Sequence, residues 1–368
     1  MTSSSSARIY YLDSMRAILM VLGVVIHSAQ IYSTKHALPI VNGETSVFMS
    51  YLIDTIHLFR MPAFFVVSGF FCYITLNKYG IPKFLRLRLV RIAVPLVVTI
   101  FTFNMIQFYL LKEGGWVKGS LASHFINGGY IGHLWFLVNL IYYFIFTAII
   151  HNIGLITKFR TRVIESTWFN KTPVLVLLFA LPIITILIMA LNKLGFPIYV
   201  EKFGLYRPYS LLYYYVHFVF GYVLASNRHL YHNFMKVNPL ISIVLIVIGC
   251  TISGIFATSN DTLITIAAEY SYLAAQWFSI ALCFTIFSRL FDHRSHFMAF
   301  FSEASYTVYL FHFILLMLVS SLLVKLDLDY ILGFTLSIVI VTSLSVAAHV
   351  FIIRKSKILG FLYNGKSY

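Results

Sequence analysis

Residues 10–33 read YYLDSMRAILMVLGVVIHSAQIYS, an apolar run interrupted by Asp13, Arg16 and His27. A bilayer-spanning helix needs about 20 mostly apolar residues, so this run is long enough to cross. An ionisable side chain inside a span is costly unless it faces a cavity or a partner. Arg16 and His27 stand eleven residues apart, which is ~1100° of helical rotation, so they share one face about 16 Å apart along the axis. Asp13, three residues before Arg16, is at a spacing that lets the two pair and lowers the cost of burying a guanidinium. Gly23, one turn before His27, leaves room beside the imidazole. With Tyr10 at one interface, His27 lies about 25 Å along the helix, toward the opposite face.

Nine further apolar runs follow, near 46–76, 93–111, 133–151, 172–194, 209–225, 240–257, 269–288, 306–324 and 331–353. The chain of 368 residues is 60% hydrophobic and only 11% charged, too few charges to solvate the surface of a soluble protein. The expected fold is an all-α polytopic membrane protein of about ten transmembrane helices, with residues 1–368 forming one integral-membrane domain. The second run is long enough to be tilted, or broken near Pro62. Of the 27 Lys and Arg, one alternate set of loops, headed by Arg8, holds 18, the other set seven, and Arg16 and Arg60 fall inside spans. That asymmetry places both termini in the cytoplasm. The first run reads as a retained signal-anchor, because Asp13 and Arg16 occupy the place of a signal peptide's uninterrupted apolar core.

The formal charge of +15 resides in short loops and not on a solvated basic face, which argues against a nucleic-acid partner. Cys72, Cys250 and Cys283 lie in apolar stretches and read as small hydrophobes. No ligand spacing for a metal, no nucleophile elbow and no Walker loop is present.

The second run carries His57, Arg60, Pro62 and the Ser68-Gly69 pair. His133 and Trp135 open the fourth, and Glu303, Ser305, Tyr306, Tyr309 and His312 lead into the ninth. Together these groups could line a path through the membrane. Bland readings stand beside each: His27 as an imidazole bonded to a neighbouring helix, His133 and Trp135 as an interfacial belt, and Arg86, Arg88 and Arg91 as topology anchors. The chemistry on offer is a histidine general base, with arginine forks such as Arg86, Arg88 and Arg91 to hold phosphates.

These residues resemble the acyltransferase 3 family of membrane O-acyltransferases. The matching pieces are Leu12-Asp13 with Arg16 and, after ten intervening residues, His27; Pro62 to Phe70; Arg88-x-x-Arg91; and Ser305-Tyr306 followed by Tyr309-Leu310-Phe311-His312. Further stretches, Ile26-His27-Ser28, Ile56 to Met61 and His133 to Leu137, are similar to a branch linked to succinyl transfer onto periplasmic glucans. Ser14 and Ala17 stand where the family often has glycine. The resemblance implies that Arg16 and His27 are the functional pair and that Arg88 and Arg91 serve the acyl donor; Asp13 joins the pair through its spacing from Arg16.

The expected activity is transfer of an acetyl or succinyl group from acyl-CoA to a hydroxyl of a periplasmic or cell-surface glycan, in the bacterial inner membrane. Its expected partners are membrane lipid and the glycan acceptor, with a homo-oligomer left open. The rival reading is a transporter or flippase for a lipid-linked sugar or organic anion, in which the same His and Arg residues form a relay.

Overall fold

The computed structural model describes residues 9–366; Arg8, which heads the cation-rich loop set, lies outside the described residues. Eight helices among them are long and apolar enough to cross a membrane. One of these runs 67 residues, Val47–Glu113, about three times what one crossing requires. Within it, helix α2 (Val47–Thr99) is interrupted at Gly80 (φ 70, ψ 169), a backbone that a residue without Cβ adopts freely. The chain therefore makes two legs here and continues through a π-helical turn at Ile100–Asn104 into α3 (Met105–Glu113). Pro62 lies inside the first leg with helical backbone, so the break falls at Gly80 and not near Pro62.

The remaining long helices are α4 (Trp135–Asn152), α5 (Val174–Lys193), α6 (Pro208–Ser226), α7 (Pro239–Phe256), α8 (Thr262–Phe291), α9 (His296–Leu323) and α10 (Tyr330–Ala348). A short helix, α11 (Lys357–Asn364), follows. With α1 (Tyr10–Ile31) and the two legs of the broken helix, helical segments occupy all ten expected positions. Five tyrosines and a histidine lower the hydropathy of α6, yet it is buried deep against α2. Gly69 and Gly221 make that contact. A Cβ on Gly69 would strike the Phe218 carbonyl and one on Gly221 the Val66 carbonyl, so the two backbones touch directly.

Helix α1 is enclosed by α2, α8, α9 and α10, and its buried positions run around the whole helix. It is antiparallel to the first leg of α2: Thr34 near its C-terminal end bonds Ser50, whereas Arg16 near its N-terminal end lies 5.4 Å from the Phe71 ring. By contrast, α5 and α7 expose apolar side chains such as Val176, Leu187, Val244 and Val247, a surface whose natural solvent is hydrocarbon.

Candidate active site

Two groups of polar residues lie one above the other along α1. The first is a basic cavity at the end of the bundle that holds Arg88, Arg91 and the C-terminal helix. Its outer vestibule, about 490 Å³, is bordered by Asp13, Arg16, Arg91, Glu303, Arg354 and Lys366. Arg16, Arg91 and Ser302 also line a deeper neck of about 80 Å³, which adds Ser68, Arg88, Tyr306, Phe64 and Phe136. Asp13 pairs with Arg16 at 3.6 Å, as the three-residue spacing predicts, and Glu303 pairs with Arg354 at 3.7 Å. Arg88 donates to the Phe71 carbonyl at 3.0 Å and to the Thr75 hydroxyl, and lies over the Phe144 ring. Tyr306 donates to the Arg91 carbonyl at 3.2 Å. Arg86 is exposed and absent from both linings.

The vestibule therefore carries four cations against two carboxylates. Loss of solvent, and then the charges of Arg91 and Arg16, push the Lys366 ammonium below its ordinary pKa, with Glu303 acting the other way. Such a site favours an anion, and guanidinium forks match phosphate oxygens.

The second group is a buried cluster of three imidazoles and a guanidinium. His27 stacks on His312 at 5.5 Å between ring centroids, His133 stands edge-on to His312 at 5.2 Å, and Phe313 packs against both His27 and His133. Arg60 is only 7% exposed. It donates through Nε to the Leu19 carbonyl at 2.9 Å and extends across Gly23, where a Cβ would lie 2.5 Å from its Nη2. Among the described residues no carboxylate lies within ion-pair distance of Arg60. The room that Gly23 leaves is thus filled by this guanidinium, on the same face of α1 as Arg16 and His27 and between them. His57 is exposed on the outer side of α2, and Trp135 packs against Tyr214 and Phe65.

The hydrogen bonds fix a tautomer. His312 Nδ1 faces the carbonyls of Tyr309 at 2.7 Å and Val308 at 3.2 Å, which can only accept, so Nδ1 carries the proton. Its Nε2 is buried with no partner, as are both ring nitrogens of His133. His27 Nδ1 meets Gln30 Oε1 at 2.7 Å, and with that amide orientation its Nε2 is likewise the acceptor. Buried polar atoms without partners are rare in folded proteins, and here they converge beside an unpaired buried cation.

Between the two groups stand Tyr309 and Phe136, 6.1 Å apart, with the Tyr309 hydroxyl donating to the His133 carbonyl at 2.9 Å. The structure thus brings Arg16, Ser68, Arg88, Arg91, Glu303 and Tyr306 to the basic cavity, and His27, Arg60, His133 and His312 to the cluster beyond. Arg16 and His27 share a face of α1 but border different spaces. Arg354 and Lys366, read from sequence only as loop cations, and Phe313 and Gln30 are additional members. Only proximity in the fold reveals them.

A ten-segment helical bundle with these intramembrane clusters is matched by a family model described as Acyltransferase domain, the acyltransferase 3 group, over residues 9–350. The chain belongs to that family and is a membrane acyltransferase. Over its full length it is similar to Glucans biosynthesis protein C of Salmonella paratyphi B and of Salmonella schwarzengrund, at 26% identity over 391 residues in each case, covering 100% of this chain and 97% of the relative. No solved structure matches it.

Proposed function

We propose that the protein takes an acetyl or succinyl group from acyl-CoA on the cytoplasmic side of the bacterial inner membrane and transfers it to a hydroxyl of a periplasmic glycan. The name of its relatives and the two-chambered site support this reading. The basic end and both termini then face the cytoplasm. The phosphates of coenzyme A sit in the vestibule among Arg91, Arg354 and Lys366, and the slender pantetheine arm follows the neck past Arg16 and Arg88. The acyl group passes the Tyr309–Phe136 partition to reach the histidines.

There the glycan hydroxyl oxygen attacks the thioester carbon, and its proton moves to the bare Nε2 of His27, with His312 stacked behind it. The carbonyl oxygen becomes an oxyanion beside Arg60, a preorganised donor in a water-poor site, where such a contact is worth most. Collapse of the tetrahedral species breaks the carbon–sulfur bond and expels the coenzyme A thiolate, which takes the proton held by His27 and leaves the imidazole neutral. The observation that carries this reading is the unpaired, buried Arg60 guanidinium beside imidazole nitrogens held ready to accept a proton.

The test is purified protein in lipid nanodiscs given acetyl-CoA or succinyl-CoA and a linear glucan, with the glycan analysed by mass spectrometry. A gain of one acetyl or succinyl that disappears in His27→Ala is the expected outcome. Wild-type protein that binds coenzyme A but leaves the glycan mass unchanged contradicts it.

A further inference from the structure

At the opposite end of the bundle lies a cavity of about 420 Å³ between α5, the segment that follows it and the start of α8. That size is within the ~300–1,000 Å³ range of small-molecule pockets. Its polar lining includes Glu269, Lys193, Asn192, Asn260 and Thr265, with Tyr199 as its aromatic wall. Glu269 belongs to α8, and no cation pairs with it among the described residues. A carboxylate at such a position on an apolar helix needs a purpose.

From Tyr199 a chain of ring contacts leads inward. Tyr199 meets Tyr209 at 4.9 Å, Tyr209 meets Tyr213 at 5.6 Å, Tyr213 meets Tyr214 at 4.8 Å, and Tyr214 meets Trp135 at 5.3 Å. Tyr209, Tyr213, Tyr214 and Trp135 are each half-buried, and Tyr199 is 52% exposed. Trp135 follows His133 by two residues at the start of α4, so the row runs inward toward the level of the imidazole cluster.

We propose that this cavity and its aromatic row are the acceptor subsite, binding a neutral saccharide chain whose terminal hydroxyl is led to His27. The proposal rests on the transfer reaction above and adds where the acceptor binds. One carboxylate and one ammonium leave the lining without net charge, unlike the cationic vestibule, so it suits a hydroxyl-rich neutral ligand and not an anion. The carboxylate and amide oxygens accept from sugar hydroxyls, while Lys193 and the amide nitrogens donate. The Tyr199 face, on the cavity wall, carries negative charge density that attracts the weakly positive C–H face of a pyranose.

The experiment uses the full chain in nanodiscs with a linear gluco-hexaose as acceptor probe and succinyl-CoA as donor. Glu269→Gln and Tyr199→Ala, both altering partly exposed side chains, are expected to raise the acceptor KM about tenfold while leaving the donor KM and the rate at saturating acceptor unchanged. Tyr206→Ala, exposed in the same segment but off the cavity, is the control and leaves all three constants unaltered. Calorimetry of hexaose binding without donor should show the same weakening. If wild type acylates the hexaose and both variants keep its acceptor KM and affinity, the subsite is overturned while the transfer reaction stands. If wild type acylates no glycan, the underlying reaction fails and the subsite with it.

Discussion

The Arg60 guanidinium lies in the notch that Gly23 leaves on α1, with its Nη2 2.5 Å from where a Cβ would stand and its Nε bonded to Leu19 O. His312 Nε2 would lie 3.8 Å from that same Cβ. One missing methyl group therefore sets how a buried cation meets the imidazoles. Gly23→Ala forces the end of a flexible side chain aside and leaves the helix intact. Loss of a preorganised oxyanion donor costs about 10²–10³ in rate, so a partial displacement should lower kcat at least about tenfold with Tm unchanged. Steady-state acyl transfer and thermal unfolding measured on the same preparation check this, and an unaltered kcat removes Arg60 from the chemistry.

The two nitrogens of His312 can be separated. Asparagine presents its amide nitrogen where Nδ1 stands, so His312→Asn keeps the donor to the Tyr309 carbonyl and deletes Nε2. Glutamine reaches the Nε2 position instead. His312 positions His27, the base of the proposed step, and a misplacement of about 1 Å can cost about 10²-fold in rate. Transfer should fall by up to that factor in His312→Asn and recover partly in His312→Gln, which restores a polar contact at the Nε2 position, measured by single-turnover release of coenzyme A. Equal activity in both variants assigns His312 to packing.

Donor binding should divide the three neighbouring arginines. Arg91 borders both vestibule and neck, whereas Arg86 is exposed outside them. A hydrogen bond to a charged group is worth about 1.5–3 kcal/mol. Arg91→Gln should therefore weaken coenzyme A binding about tenfold or more by calorimetry, and Arg86→Gln should not alter it. Arg88 also ties the two legs of the broken helix through the Phe71 carbonyl and Thr75, so its replacement is expected to lower Tm as well as affinity.

The α2–α6 crossing predicts a stability effect unconnected to chemistry. In Gly221→Val the new side chain meets the Val66 backbone, which cannot move as a side-chain tip can. Overpacking of this kind costs about 1–3 kcal/mol or more. A clear fall in Tm in detergent is expected, and full retention of Tm shows that the helices can separate without penalty.

The helical architecture was legible because long apolar runs have few alternatives in a chain of this composition. Even α6, weakened in hydropathy by its tyrosines, was found at 209–225 against an observed Pro208–Ser226. The turn at Gly80 falls between the runs 46–76 and 93–111, where the sequence separates two spans, whereas the break considered near Pro62 is absent: that proline sits in the first leg without disturbing it. Arg16, His27, Arg60, His133 and His312 were visible as polar residues where lipid should exclude them. Their division into two chambers was not, since it depends on which side chain of α2 and α9 reaches α1 at which level. Arg354 and Lys366 join Arg16 and Arg91 across more than 260 residues of sequence, a meeting that only tertiary structure creates. Glu269 is not marked out by the sequence because the apolar run 269–288 begins at it, whereas α8 starts seven residues earlier and holds it inside the helix.

The neck between the chambers, about 80 Å³ and bounded by Phe64, Phe136 and Tyr306, acts as a gauge on cargo. On the proposed reaction a slender pantetheine arm is what such a passage admits, and the bulky nucleotide of the donor is held back in the vestibule.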